Sequence, residues 1–225
     1  DVVSRISCTT RKNKTRTIYS LTKSFRSLRL LQQRVIRQSQ VQIRMVEGHS
    51  VHRVAADQTK KLVGKRLKAR SPNKRFESEA KLISGKKYEK IVPVGKNLFA
   101  FFEGGHVVHV HFGMSGRWSI FSKKNGVPEE KPTTRLILED EENEAHLSAM
   151  TVRLGDHAFF EEKRRKLGED PLATDPDVED LFQRVSKSKK TISKLLMDQG
   201  YFAGVGNIYR AEILFVSRTD PNLKG

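Results

Sequence analysis

The chain has 225 residues, 43 of them Lys or Arg against 26 Asp or Glu, for a formal net charge of +17. That length holds one large domain or two small ones, each with its own core, and the charge favours a polyanionic partner such as nucleic acid. A single cysteine, Cys8, excludes a disulfide framework and a four-cysteine zinc site within these residues, and no apolar run approaches the ~18 residues of a membrane span.

The charge is unevenly placed. Residues 1–44 hold eleven basic side chains and one acid, Asp1, which leaves 32 basic and 25 acidic residues, or +7, for 45–225. Residues 1–45 form a basic leader rich in Arg, Ser, Thr and Gln, in which Leu21, Phe25, Leu28 and Leu31 have the spacing of an amphipathic helix. Two readings stand. An organellar transit peptide would place the protein in a mitochondrion or plastid; a basic tail or non-native upstream sequence leaves a nucleus or a bacterial-type cytoplasm. The chain starts with Asp rather than Met, so this end is expected to be incomplete.

Met45-Val46-Glu47-Gly48-His49-Ser50-Val51-His52-Arg53 follows, opening on the first methionine. With the chain starting after Met45, Val46 carries a free α-amine, titrating near ~8 against ~10.4 for a lysine side chain. About a tenth of it is unprotonated at neutral pH, which makes it a Schiff-base nucleophile beside the Glu47 carboxylate. The plainer alternative is a helix start with Ser50 as N-cap and Glu47 near the positive helix end.

Val51, Val54, Ala55, Leu62 and Val63 share one face of a helix over 50–63, stopped by Gly64. Strands are expected over 65–70, 81–83, 86–94, 97–102 and 106–112, the last with Val108, Val110 and Phe112 alternating against His109 and His111. Further strands are expected over 117–121, 135–139, 145–150 and 158–161. From Leu167 to Gln183 there are six acids and no Lys or Arg, with Pro171 and Pro176 as breakers, which reads as a linker. Helices are expected over 177–185, 191–199 and 207–216. The fold class is therefore α+β: a β-sandwich with a leading helix, then an all-helical domain.

In Leu195-Leu196-Met197-Asp198-Gln199-Gly200-Tyr201-Phe202-Ala203-Gly204-Val205-Gly206-Asn207-Ile208-Tyr209-Arg210-Ala211-Glu212, a helix ends at Gly200 and a new one opens at Asn207. Gly204 and Gly206 admit a close ligand, and the N–H groups opening the second helix suit a phosphate. His106, His109 and His111 lack the Cys or paired carboxylates of a metal site and read as structural or phosphate-facing. Glu139 to Glu142 reads as a solvated hairpin tip, and Trp118 and Phe121 as core rather than base-stacking residues.

Gly-Val-Gly-Asn-Ile-Tyr-Arg-Ala-Glu (204–212) resembles the helix-two-turn-helix signature of the formamidopyrimidine-DNA glycosylase / endonuclease VIII family. Val-Glu-Gly-His-Ser-Val-His-Arg (46–53) resembles that family's mature amino terminus, most closely the bacterial endonuclease VIII branch. His-Phe-Gly-Met-Ser-Gly (111–116) resembles its strand-and-loop motif, and Val-Gly-Lys-Asn-Leu (94–98) the turn carrying its catalytic lysine. The resemblance spans residues 46 to 221 in the family's order. It implies a catalytic β-sandwich domain over 46–166, a linker over 167–176 and a DNA-binding helix-two-turn-helix domain over 177–225.

Carried over by matching position, it implies Val46 as nucleophile, Glu47 as proton shuttle at the sugar and Lys96 as the lysine that engages phosphate and assists the reaction. It further implies Asn207, with Gly206 and Tyr209 in the same signature, on the DNA backbone. Met114 would fill the gap left by an everted base, and Lys166 stands where endonuclease VIII has a DNA-contacting arginine. Two departures are plain: Ser50 replaces a common glutamate, and the Arg and Phe wedge partners of the formamidopyrimidine branch are absent. The expected activity is that of a bifunctional DNA glycosylase and abasic-site lyase of base excision repair, acting on oxidised bases, pyrimidines foremost. The alternative is a non-enzymatic nucleic-acid-binding protein with the same fold. Damaged DNA, double- or single-stranded, is the expected partner, with no membrane and a monomeric state. No cofactor or metal ligand is expected in this chain, the family's structural zinc belonging to a missing carboxy-terminal segment.

Overall fold

The computed structural model describes residues 46–225; the expectations for the leader and for Met45 lie outside the described residues. The described residues fall into two compact units, one ending at Lys166 and the other beginning at Leu167.

The first unit opens with α1 (Gly48–Lys61), which buries Val51, Ala55 and Gln58 and ends on Lys60 and Lys61, the favourable charge at a helix C-terminus. Two antiparallel four-stranded sheets follow. One has the order β1 (Lys68–Arg70), β6 (Leu136–Glu139), β7 (Asn143–Ser148), β5 (Arg117–Ser122). The other has the order β2 (Tyr88–Val94), β3 (Asn97–Phe102), β4 (His106–His111), β8 (Thr151–Gly155). Leu98, Ala100, Phe102, Val108 and Val110 of the second sheet share one core with Trp118, Leu136, Leu138, Ala145 and Leu147 of the first. Trp118 is thus a core residue, as expected, while Phe121 sets its ring edge-on to His146 at 5.2 Å.

Two expected strands are helices instead. Residues 81–83 end α2 (Glu77–Ile83): Phe76, Ala80 and Ile83 are buried at helical spacing, Glu77 and Glu79 occupy the first turn, and Lys81 pairs with Glu77 at 3.1 Å. Residues 158–161 lie in α3 (His157–Arg165), capped by Asp156, whose carboxylate accepts from the Phe159 N–H at 2.8 Å. Strand β8 was not expected, because Val152 is its one fully apolar inward position.

Helix α3 also changes the second sheet. Phe160 packs edge-on to Phe99 and Phe101 at 4.9 and 5.1 Å, and Phe159 lies 5.8 Å from His109. The sheet face expected to be polar is therefore covered, and His109 is buried at 5% exposure.

The second unit holds α4 (Val178–Ser186), capped by Asp177, α5 (Ile192–Met197), capped by Thr191, and α6 (Asn207–Val216). Such short helices depend on tertiary packing, which Leu181, Val185, Ile192, Leu195, Leu196, Phe202, Val205 and Ile213 supply. The acidic stretch read as a linker is bonded into this unit at its start. Gly168 N–H donates to the Gln199 carbonyl at 2.8 Å, and Glu169 pairs with Phe202 in a parallel bridge. A Cβ on Gly168 would lie 2.4 Å from the Tyr201 carbonyl oxygen and 2.5 Å from that of Gly200. Gly168→Ala is therefore expected to destabilise the unit by about 1–3 kcal/mol, read as a lower urea midpoint; an unchanged midpoint would contradict this packing.

Candidate functional site

The start of α1 sets the first part of the site. Glu47, not Ser50, is the N-cap residue: its carbonyl accepts from the Ser50 N–H at 3.0 Å and from the Ser50 hydroxyl at 2.8 Å. Ser50 joins the helix because Glu47 already has the extended cap conformation, φ −121° and ψ 173°. The Glu47 carboxylate makes no capping bond, yet it is buried at 1% exposure. A carboxylate held out of water at a chain position this close to a helix start needs a charge partner or a task. Val46 is half-buried and lines a groove of about 550 Å³, walled on one side by Ser50, Arg53 and Val54 of α1 and on the other by Phe112 and Arg117.

The charge partner comes from the second sheet. Val94 and Asn97 face each other across a two-residue turn, Gly95-Lys96, between β2 and β3. Burial lowers the Lys96 pKa, and the Glu47 carboxylate opposes that shift. The His111 pKa is also lowered, first by burial and then by Lys96. Lys96 on the β2–β3 turn thus feels the charge of Glu47 at the start of α1 and acts on His111 at the end of β4. His49 beside it is lowered by burial, against the raising effect of Glu47.

Two residues outside the expected set hold this turn. His109 donates from Nε2 to the Asn97 Oδ1 at 2.9 Å and stacks on Phe99 at 4.9 Å, so its ring is spent on structure. The signal was an Asn opening β3 with a His on the neighbouring strand, which sequence spacing alone does not pair. Burial, with Lys163, His111 and Arg153 nearby, lowers the His109 pKa to about 4. The sign follows from linkage: the unfolded ring protonates near ~6.5 and the folded one near 4. The contribution is therefore complete above pH ~6.5 and is lost as pH falls towards 4. The wild-type protein is expected to lose up to about 3 kcal/mol more than His109→Gln between pH 7 and pH 4, measured by urea unfolding at both. Parallel losses would contradict the assignment.

The remaining expected residues of this unit lie at the surface. Met114, on the turn after β4, is 77% exposed, an unusual position for a large apolar side chain without a partner to meet. Lys166 follows α3 and pairs with Glu162, an exposed bond of small worth that a phosphate can displace. Among the described residues no group of three or more His, Cys, Asp or Glu is placed to hold a metal.

In the second unit the chain turns from Gly200 to Gly206, with Gly204 at φ +94°, a conformation that favours glycine. Gly206 is the N-cap of α6, and Asn207 stands exposed at its first helical position. Tyr209 is half-buried and packs on the helical core. The arrangement presents the exposed Asn207 amide at the positive end of a ten-residue helix.

Residues 45–165 match the family profile described as formamidopyrimidine-DNA glycosylase N-terminal domain, and residues 167–225 the formamidopyrimidine-DNA glycosylase H2TH domain. An endonuclease 8 of Mycobacterium tuberculosis (strain ATCC 25618 / H37Rv) is 35% identical over 184 residues, covering 80% of this chain and 69% of the relative. The chain belongs to the formamidopyrimidine-DNA glycosylase / endonuclease VIII family. This is a family of DNA glycosylases of DNA repair. A formamidopyrimidine-DNA glycosylase of Ureaplasma parvum is 29% identical over 158 residues, 67% of this chain and 57% of that one. The fold is also that of the Lactococcus lactis enzyme in complex with DNA containing an abasic site. The TM-score is 0.67 at 23% identity, over 79% of this chain and 69% of the other. Among the described residues no helix is long and apolar enough to cross a membrane.

Proposed function

We propose that the protein is a bifunctional DNA glycosylase and abasic-site lyase that removes oxidised bases from damaged DNA. The observation that carries this is the buried Glu47 carboxylate coupled to Lys96 beside Val46. The unprotonated Val46 amine forms a bond to the sugar C1′ as the C1′–base bond breaks, the base leaving with a proton. Opening of the C1′–O4′ bond gives the imine, with Glu47 moving the proton at O4′. Loss of a C2′ proton then expels the 3′ phosphate. Lys96, whose pKa burial lowers against the raising effect of Glu47, engages phosphate and assists these steps. Asn207 and the opening of α6 hold the DNA backbone, Met114 fills the space of the everted base, and Lys166 adds a phosphate contact. Oxidised pyrimidines are the preferred substrates, a reading supported by the endonuclease 8 relative and by the Val-Glu-Gly-His start.

The test is Lys96→Ala in protein beginning at Val46. The side chain sits on a turn rather than in the core, so stability should change by less than about 1 kcal/mol while single-turnover excision falls at least about a hundredfold. A variant that unfolds, or that keeps the wild-type rate, contradicts the role.

A further inference from the structure

The turn that presents Asn207 is tied by one side chain to which neither the motif nor the family likeness gives a task. Gln199 follows α5, and its amide reaches across the turn. Nε2 donates to the Val205 carbonyl at 2.9 Å and to the Met197 carbonyl at 3.2 Å, while Oε1 accepts from the Gly204 N–H at 3.0 Å. Its own carbonyl accepts from the Gly168 N–H at 2.8 Å, so the residue is fixed at both ends.

The segment it spans is short. Gly204 lies at φ +94°, and Ala203 and Val205 on either side are buried. Fixing each backbone residue costs on the order of 1–2 kcal/mol, so a glycine-bearing loop keeps one shape only where bonds hold it. One carboxamide satisfies both the Gly204 N–H and the Val205 carbonyl. Few side chains can replace it: glutamate accepts but does not donate, asparagine is a methylene shorter, and leucine does neither.

We propose that Gln199 is a positioning residue for nucleic-acid binding, setting the direction of Asn207. This rests on the reading of that helix start as a DNA-backbone site. It acts through Asn207, not by touching DNA.

The test uses the 225-residue chain and a short duplex carrying a tetrahydrofuran abasic analogue, with affinity read by fluorescence anisotropy over a series of salt concentrations. Asn207→Ala is expected to weaken binding by about five- to a hundredfold, the range for a lost bond to a charged group. Gln199→Leu is expected to weaken it by about tenfold with the salt slope unchanged, because neither Gln199 nor Asn207 carries a charge that releases counterions. The double variant Gln199→Leu/Asn207→Ala should bind little worse than the weaker single, because the two changes remove one interaction. Amide exchange at Gly204 should quicken in Gln199→Leu. Gln199→Glu, which keeps the volume and the bond to Gly204, should also bind weakly; it carries the test where the leucine variant does not fold.

A folded Gln199→Leu that binds like wild type while Asn207→Ala is weakened overturns the proposal alone. So do multiplicative effects in the double variant, or failure of both Gln199 variants to fold, which would make the residue part of the scaffold only. An Asn207→Ala variant with unchanged affinity instead overturns the underlying DNA-site reading.

Discussion

Glu47→Gln is expected to give a protein that holds lesion DNA and releases almost no base. The cap of α1 runs through the Glu47 carbonyl and not its carboxylate, so an amide of the same shape leaves the helix start in place. Burial at 1% exposure makes the neutral amide no harder to accommodate than the carboxylate. What is lost is proton transfer at the reacting sugar, on the order of 10²–10⁴ in rate, or about 3–5 kcal/mol of barrier. Lys96 loses its opposing charge at the same time, so burial lowers its pKa unopposed by Glu47. Gel-shift affinity and single-turnover excision, measured on one duplex at one salt concentration, separate the two effects. Excision at the wild-type rate would remove the enzymatic reading and leave a nucleic-acid-binding protein with the same fold.

Retaining residues 1–45 on Val46 is expected to abolish imine-dependent strand cleavage. An amide nitrogen has its lone pair in resonance with the carbonyl and forms no imine, whereas a free valine amine is partly unprotonated at neutral pH. Val46 borders an open groove, so a substrate carbon can reach it. Protein starting at Val46 and protein carrying the leader should therefore bind abasic DNA and differ in cleavage. Equal cleavage by both would place the nucleophile elsewhere.

Much of this architecture was legible in the sequence, because the continuous apolar run over 98–102, the alternation over 106–111 and the glycine-punctuated helices at the carboxy-terminal end are strong signals. The misreadings share one cause. Residues 81–83 and 158–161 are short apolar runs, and period alone does not separate strand from helix at that length; Phe76 and the Asp156 cap decide it. His109 looked polar because the partner that buries it, α3, was itself taken for a strand. Val46, Glu47 and Lys96 could be chosen from motifs, but not the coupling of Glu47 with Lys96, which needs the β2–β3 turn folded against α1. The bonds of Gln199 were hidden for the same reason: the residue precedes the 204–212 signature, and its reach across the turn exists only in three dimensions.

The most direct measurement is borohydride reduction of protein beginning at Val46 on abasic DNA, followed by peptide mapping of the covalent adduct. Reduction converts the imine to a stable amine and marks the nitrogen that attacked. The proposed chemistry predicts one adduct, on the Val46 α-amine, absent when residues 1–45 remain attached. An adduct on Lys96 or another lysine, or an equal yield from the full 225-residue chain, would contradict it.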